Sequence, residues 1–441
     1  MMMRQLSAFL AMAVLLVGAS FAGAADFYVN KETGKNSFSG TKEEPLKNLQ
    51  KAIDIAEDGD TIHVAVGNYC GIMDKGQIKL DKQLSILGGY APDFSERDIL
   101  KHRTTVIPVK KQDTHRDGAV FMIEQGNKEG ATLIDGLIFD QGETNDYHET
   151  KGKPEGLDTG ILLIPPTKSS PSAVPSVDIA IMKGNTSGDF TVSNCVFNNA
   201  CLYGIWVAQG KGTFTVKNNV FTANRMAAME IRGRLNDRHA AQAHILDNTV
   251  LFTWSRTTDM GDMGYGVRGM TACDYVIQGN ILSLSTFAGY DNTRIDSDLK
   301  ERKNVALDRN MFFLNKEADM TAPGSGKFMR LWVEEHFEDL PDLDIPGTTF
   351  TSVDGNVGLD SAEPLKDALN MAYLEGFLSA SYSEVTSYDA DSPANTFRRA
   401  MGMNQQGTIQ SSVTMWANRY PLEDALKLFG AVEGFGAQLP Q

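Results

Sequence analysis

The sequence predicts an all-β solenoid, and three observations carry that expectation. A six-residue phrase recurs between residues 190 and 312, its copies are nearly evenly spaced, and Asn and Gly punctuate the short β-rich words. The copies begin at Val192, Val216, Leu246, Ile277 and Leu307. Their fifth positions, Val196, Val220, Val250, Ile281 and Met311, are separated by 24, 30, 31 and 30 residues. Ile134 to Phe139 fits 58 residues before Val196, a distance of about two turns with an insertion, and Val353 to Gly358 fits more loosely downstream.

Composition narrows the function classes. Hydrophobic residues make up 42% of the 441, enough for a large core, and the net charge of −15 argues against nucleic acid as a partner. An acidic polymer would also be repelled unless a local basic patch or a bridging cation meets it. The four cysteines, Cys70, Cys195, Cys201 and Cys273, show no CxxC pair and no metal-ligand spacing, and their pairing is left open. The seven histidines are scattered, which speaks against a His-built metal site.

In chain order, residues 1–24 read as an export signal. Arg4 precedes an apolar run from Leu6 to Val17, and Ala22-Gly23-Ala24 offers a small-x-small cleavage site. The run is too short to span a bilayer, and no later stretch is long and apolar enough to do so. The mature protein is therefore expected to start near Ala25, exported and without a membrane span.

Residues 25–358 read as the solenoid. Asp26 to Asn30 is a short strand, Gly34 to Thr41 a polar loop, and Pro45 opens a helix with Leu46, Leu49, Ala52, Ile53 and Ala56 on one face. Such a helix covers the apolar cross-section that the first coil would otherwise expose. Asp58-Gly59-Asp60 ends it, Thr61 to Ala65 is a strand, Gly67-Asn68-Tyr69 a turn, and Leu84 to Tyr90 another strand. Two insertions, Gln141 to Thr159 and Pro165 to Gly188, read as loops overhanging one face. Residues 359–441 read as a C-terminal extension that closes or flanks the solenoid, with helices over Ala362 to Leu378 and Pro421 to Phe429.

The opening order is specific. The leader, Asp26-Phe27-Tyr28-Val29-Asn30, the polar loop, Pro45 to Ile53, Asp58 to Ile62 and Gly67-Asn68-Tyr69 resemble secreted right-handed parallel β-helix proteins of the pectin-lyase-like superfamily. Leu87 to Asp98 looks like a branch of uncharacterised bacterial members. The resemblance implies a single-stranded right-handed parallel β-helix with an N-terminal capping helix. It leaves the chemistry open, because the superfamily holds lyases, glycosidases, epimerases, esterases, adhesins and proteins without known activity.

Candidate site residues come from the strand that follows each repeat. Eleven residues past Val196 and Val220 lie Val207 and Ile231; the third coil needs a longer loop and then offers Gly264-Tyr265-Gly266-Val267-Arg268. If Val207, Ile231 and Val267 point inward, Trp206, Glu230 and Gly266 form one outward column, and Ala208, Arg232 and Arg268 the next. Stacked arginines repel unless a carboxylate or sulfate sits between them. Arg232, Arg268 and Glu230 are thus the expected catalytic group. Trp206, Arg234 and Tyr265 would bind substrate, and Arg238 would extend the basic patch. The bland reading is a solvated salt-bridge network worth less than ~1 kcal/mol per pair. Asn194, Asn218 and Asn248 read as a turn ladder at one corner of successive coils.

A β-eliminating lyase needs a base for the proton beside a uronate carboxyl and a cation to neutralise that carboxyl. Related lyases imply Arg or Lys as base with Ca²⁺ held by clustered acids. In the chondroitinase-B-like and alginate-lyase branch a Lys also takes part, but residues 225–270 contain no Lys. Two expectations remain: an exported monomeric β-helix that cleaves an acidic polysaccharide, or a non-catalytic one that binds glycan or serves the envelope.

Overall fold

The computed structural model describes residues 23–71, 77–108, 119–142, 180–200, 202–234, 239–254, 264–270, 272–293, 302–324, 328–379 and 419–440. The chain winds as a right-handed parallel β-helix in which each complete coil contributes one strand to each of three sheets. Sheet A has ten strands, running from Asp26–Val29 to Thr348–Ser352. Sheet B has nine short ones and sheet C nine, the last of them an antiparallel hairpin strand, Phe328–Leu331. The proposed leader lies almost wholly outside the described residues, as do Cys201, Arg238 and 143–179.

Alternation builds the interior. In sheet A, Phe190, Val192, Phe214, Val216, Ile245, Ile277 and Leu307 are buried, while the residues between them face out. Like residues stack coil on coil: Phe139, Phe197 and Phe221 lie at ring separations of 5.0 and 4.7 Å. The helix Leu49–Ile55 closes the N-terminal end, burying Leu49, Ala52 and Ile53. It starts four residues later than expected; Leu46 instead bridges to Val29. At the other end Val333, Phe337, Leu340 and Ile345 cover the core, a cap that the sequence reading missed.

Several boundaries differ from expectation. Thr249, not Val250, pairs with Val220, so the third repeat word begins at Ile245. Both frames place an apolar residue first, and only the pairing separates them. Ile138 pairs directly with Val196, so the 58 residues between them are one coil carrying an insertion. That insertion ends by Ala180, because Ala180–Thr186 is a strand of sheet C. Gly67–Tyr69 is a strand of sheet B. The first C-terminal helix runs only over Met371–Ser379. This extension lies on the outer face of sheet B, where Leu365, Leu369, Leu374, Phe377, Tyr420, Ala425 and Leu426 pack with Val196, Val220, Leu251 and Phe252.

The corner between sheets A and B holds a ladder of buried amides. Asn219, Asn248, Asn280, Asn310 and Asn356 each donate or accept side chain to side chain, at 2.9, 2.9, 2.9 and 3.1 Å. Each Oδ1 from Asn248 onward also accepts the backbone N–H of the preceding Asn. Asn194 and Asn218 stand one position earlier, with φ of 53° and 57°, joined by their own 2.7 Å bond. The expected ladder therefore mixed two positions. Cys195 occupies a ladder position: its N–H donates to Asn219 Oδ1 and its Sγ accepts the Leu137 N–H. Cys70, Cys195 and Cys273 are free thiols.

Candidate functional site

The outer face of sheet C carries one row of aligned side chains. The register places Lys79, Met122, Lys183, Trp206, Glu230, Arg268, Asp291, Thr321 and Arg330 opposite one another in successive strands. With rungs ~4.8 Å apart, adjacent members are within contact distance. Charge alternates through the middle of the row: Glu230, Arg268, Asp291.

This register corrects the expected columns. Val267 pairs with Met229 rather than Ile231, so Arg268 stands beside Glu230, where Gly266 had been expected. Arg232 is a neighbour of Ala208, two positions along the strand, and the two arginines do not stack. A slip of two residues preserves the alternation, so periodicity could not detect it. The signal lies in Gly269, which takes the inward slot beside Ile231. A Cβ there would stand 2.7 Å from the hydroxyl of Tyr290, which fills the space.

Arg268 is only 2% exposed, Glu230 4% and Asp291 0%. Arg268 Nε donates to Asp291 Oδ2 at 3.1 Å, and Nη1 lies 3.6 Å from Glu230 Oε2. Its guanidinium lies 4.7 Å from the centre of the Tyr265 ring. Burial disfavours the cation, but the carboxylates of Asp291 and Glu230 outweigh that and hold its pKa above the ordinary arginine value. Asp291 Oδ1 also accepts from Thr293 N, Thr293 Oγ1 and Thr321 Oγ1 at 3.0, 2.6 and 3.0 Å. Glu230 Oε1 accepts from Trp206 Nε1 at 2.8 Å. A buried, hydrogen-bonded cation between two carboxylates is a structural element, not the solvated network of the bland reading.

Half-buried Trp206 differs from the open sugar platform that its residue type suggested. Lys183 Nζ lies 5.0 Å and the Arg232 guanidinium 4.5 Å from its ring centre, from the rungs on either side. Among the described residues Arg232 has no carboxylate within ion-pair distance, and it is half-buried. Arg234 is tied down: Nη2 donates to Gly126 O and Asn127 Oδ1 at 2.6 and 2.7 Å. Tyr265 is 1% exposed, packed with Phe287 and Tyr203 beneath the row, and offers no surface to a substrate.

The resemblance implies calcium held by clustered acids. Among the described residues no three of His, Cys, Asp and Glu converge. Glu230 and Asp291, the two acids of the row, are engaged with Arg268, Trp206 and the threonines.

The fold defines the class: a three-sheet right-handed parallel β-helix. More particularly, residues 32–91, its opening coil, match the family described as protein of unknown function (DUF1565). Among solved structures the chain is similar to a rhamnogalacturonan lyase at 10% identity, covering 94% of this chain and 100% of that one, TM-score 0.33. It is also similar to pectate lyase Pel9A at 9% identity, covering 89% and 90%, TM-score 0.37. A GH136 lacto-N-biosidase from Eubacterium ramulus matches at 10% identity over 76% and 68%, TM-score 0.24. No curated protein matches the chain. Likenesses this distant carry nothing about chemistry. Among the described residues no helix is long and apolar enough to cross a membrane.

Proposed function

We propose that this chain is an exported, monomeric, polysaccharide-binding β-helix that takes an acidic glycan on the outer face of sheet C. The observation that carries the reading is Arg232, half-buried, lying over Trp206 and without a carboxylate partner among the described residues. An arginine held flat on an indole is already oriented, so its donors meet a carboxylate or sulfate at reduced entropic cost. Lys183, on the far rung, adds a second cation, and together they form the local basic patch that a chain of net charge −15 needs for an acidic ligand. Glu230 fixes the indole through its nitrogen.

The catalytic assignment of Arg268 and Glu230 loses support in this geometry, because both are buried and mutually engaged. Arg232 remains as a binding residue. Titration calorimetry against alginate, polygalacturonate and a chondroitin tests the reading. Binding that weakens with salt, and about tenfold in Arg232→Ala, is expected. Equal affinity in wild type, Arg232→Ala and Trp206→Ala, or no binding to any of the three, overturns it.

A further inference from the structure

Residues 419–438 cross the outer face of sheet B, and each edge of the sheet holds them with an asparagine. At the edge toward sheet C, Asn199 Nδ2 donates to Tyr420 O at 3.1 Å, and Asn199 Oδ1 accepts the Tyr420 N–H at 2.8 Å. At the edge toward sheet A, Asn218 Nδ2 donates to Gln438 O at 3.0 Å, and its Oδ1 accepts the Gln438 N–H at 2.6 Å. Both asparagines sit at turns of left-handed φ, 58° and 57°, a conformation that this residue type tolerates. Each clamp grips main chain alone, so it fixes the backbone whatever the side chain. Between the clamps, Ala425, Leu426, Leu428 and Phe429 are buried on sheet B.

The two clamps differ in what stands behind them. Behind Asn218 is a neutral amide, Asn194 Oδ1, at 2.7 Å. The carboxylate of Asp135 lies one residue further along those bonds and is ion-paired with Arg97. Behind Asn199 a carboxylate stands directly. Asp140 Oδ1 accepts from the same Asn199 Nδ2 at 3.0 Å and from the Gly142 N–H at 2.7 Å. Asn198 Nδ2, which also donates to Tyr420 O at 3.0 Å, lies 3.4 Å from Asp140 Oδ2. Asp140 therefore orients both amides that hold the Tyr420 carbonyl. Among the described residues the charged group facing it is Arg419, from the crossing segment itself. Glu423 and Asp424, further along, are engaged with Arg103 and Lys427. Burial raises the Asp140 pKa above the ordinary carboxylate value, and the amides and Arg419 only partly offset it.

We propose that residues 419–438 are a strap with two unlike buckles, and that Asp140 makes the Tyr420 buckle loosen as pH rises while the Gln438 buckle holds. Docking of Tyr420 and Arg419 covers the Asp140 carboxyl, and undocking returns it to water. The docked form binds the proton more tightly, so this contribution to docking is complete below the ordinary carboxylate pKa. It is lost as pH rises through the raised value, above which an ionised carboxylate has to be kept under the strap. Opening at this edge uncovers Phe252, whose ring lies 5.3 Å from that of Tyr420, and leaves the segment tethered by Asn218. An Asp140 of merely structural role would hold the amides alike across the same range.

The two buckled amides are matched reporters, because each donates its N–H to an asparagine Oδ1. Hydrogen exchange of the full chain is followed from about pH 4 to about pH 8, with the intrinsic pH dependence of exchange divided out. Protection at the Tyr420 amide, taken relative to that at Gln438, is expected to fall by more than about threefold as pH rises. Asp140→Asn keeps an acceptor for Asn199 and Gly142 but cannot ionise, so its ratio should stay level. A wild-type ratio that stays within about threefold, or one that rises with pH, overturns the proposal. So does a fall of the wild-type size in Asp140→Asn. If that variant does not fold, the wild-type ratio decides alone. The measurement needs no ligand, so its outcome is independent of the glycan-binding reading.

Discussion

The A–B corner and the outer face of sheet C are built on the same coils, yet they treat sequence in opposite ways. At the corner, six consecutive turns use one or two residues, and the same amide returns in coil after coil. On sheet C every rung differs, from Lys183 through Trp206, Glu230, Arg268 and Asp291 to Thr321. The connections 141–179, 252–264 and 292–302 enter or leave this sheet, whereas 91–103 joins sheet A to sheet B. Repetition at the corner satisfies each rung by its neighbours, which suits a scaffold. Variation on sheet C lets individual side chains take separate tasks. Its middle is a buried, ion-paired triad of one cation and two carboxylates, and its upstream end keeps half-buried cations around one indole.

The largest expected effect is at the triad. Arg268→Ala would leave two buried carboxylates facing an emptied space, at a cost of about 3–5 kcal/mol. Urea denaturation of wild type and variant measures it. A loss below 1 kcal/mol would mean that the middle of the row is as permissive as its end. Next comes the ladder. Asn280→Ala removes the acceptor of both the Asn248 N–H and its side chain, and the donor to Ile245 O, at about 2–4 kcal/mol. An indifferent Asn280→Ala would show that the corner owes its order to the sheets alone.

These two regions were unequally legible in the sequence. The corner announced the fold because its Asn-rich word recurs, while the stacked pairs Phe190–Phe214 and Phe197–Phe221 of the interior emerge from the register. Even so, the word beginning at Ile245 was misframed by one residue, since Ile245 and Leu246 are equally apolar. Sheet C was harder to read. Glu230 was correctly placed beside Trp206, but Arg268 was set two positions away, because alternation is blind to a two-residue slip. The partner of Arg268, Asp291, lies 23 residues downstream in a strand without a matching word, so no local pattern tied them.

Smaller effects sharpen the contrast at the ends of both features. Beside the row, Arg232→Ala should change unfolding free energy by no more than about 0.5 kcal/mol, although it weakens glycan binding. A destabilisation of 2 kcal/mol or more would make Arg232 part of the buried scaffold.

The smallest loss among the ladder positions should fall at Asn356. It receives the Asn310 N–H and side chain at 3.0 and 3.1 Å and donates to Leu307 O at 2.7 Å, three bonds that Asn280 also makes, but Asn280 donates in addition to Gln278 O and Asn310 Oδ1. Asn356 has no rung above it, and it is half-buried where Asn280 is fully enclosed. Water can therefore take over the groups that Asn356→Ala strands, and the expected cost is about 1 kcal/mol. Hydrogen exchange at the Asn310 amide reads this directly: it should quicken in Asn356→Ala while the Asn248 amide keeps its protection. Equal losses of stability in Asn356→Ala and Asn280→Ala would mean that burial does not set the strength of this ladder, and that each amide acts on its own coil alone.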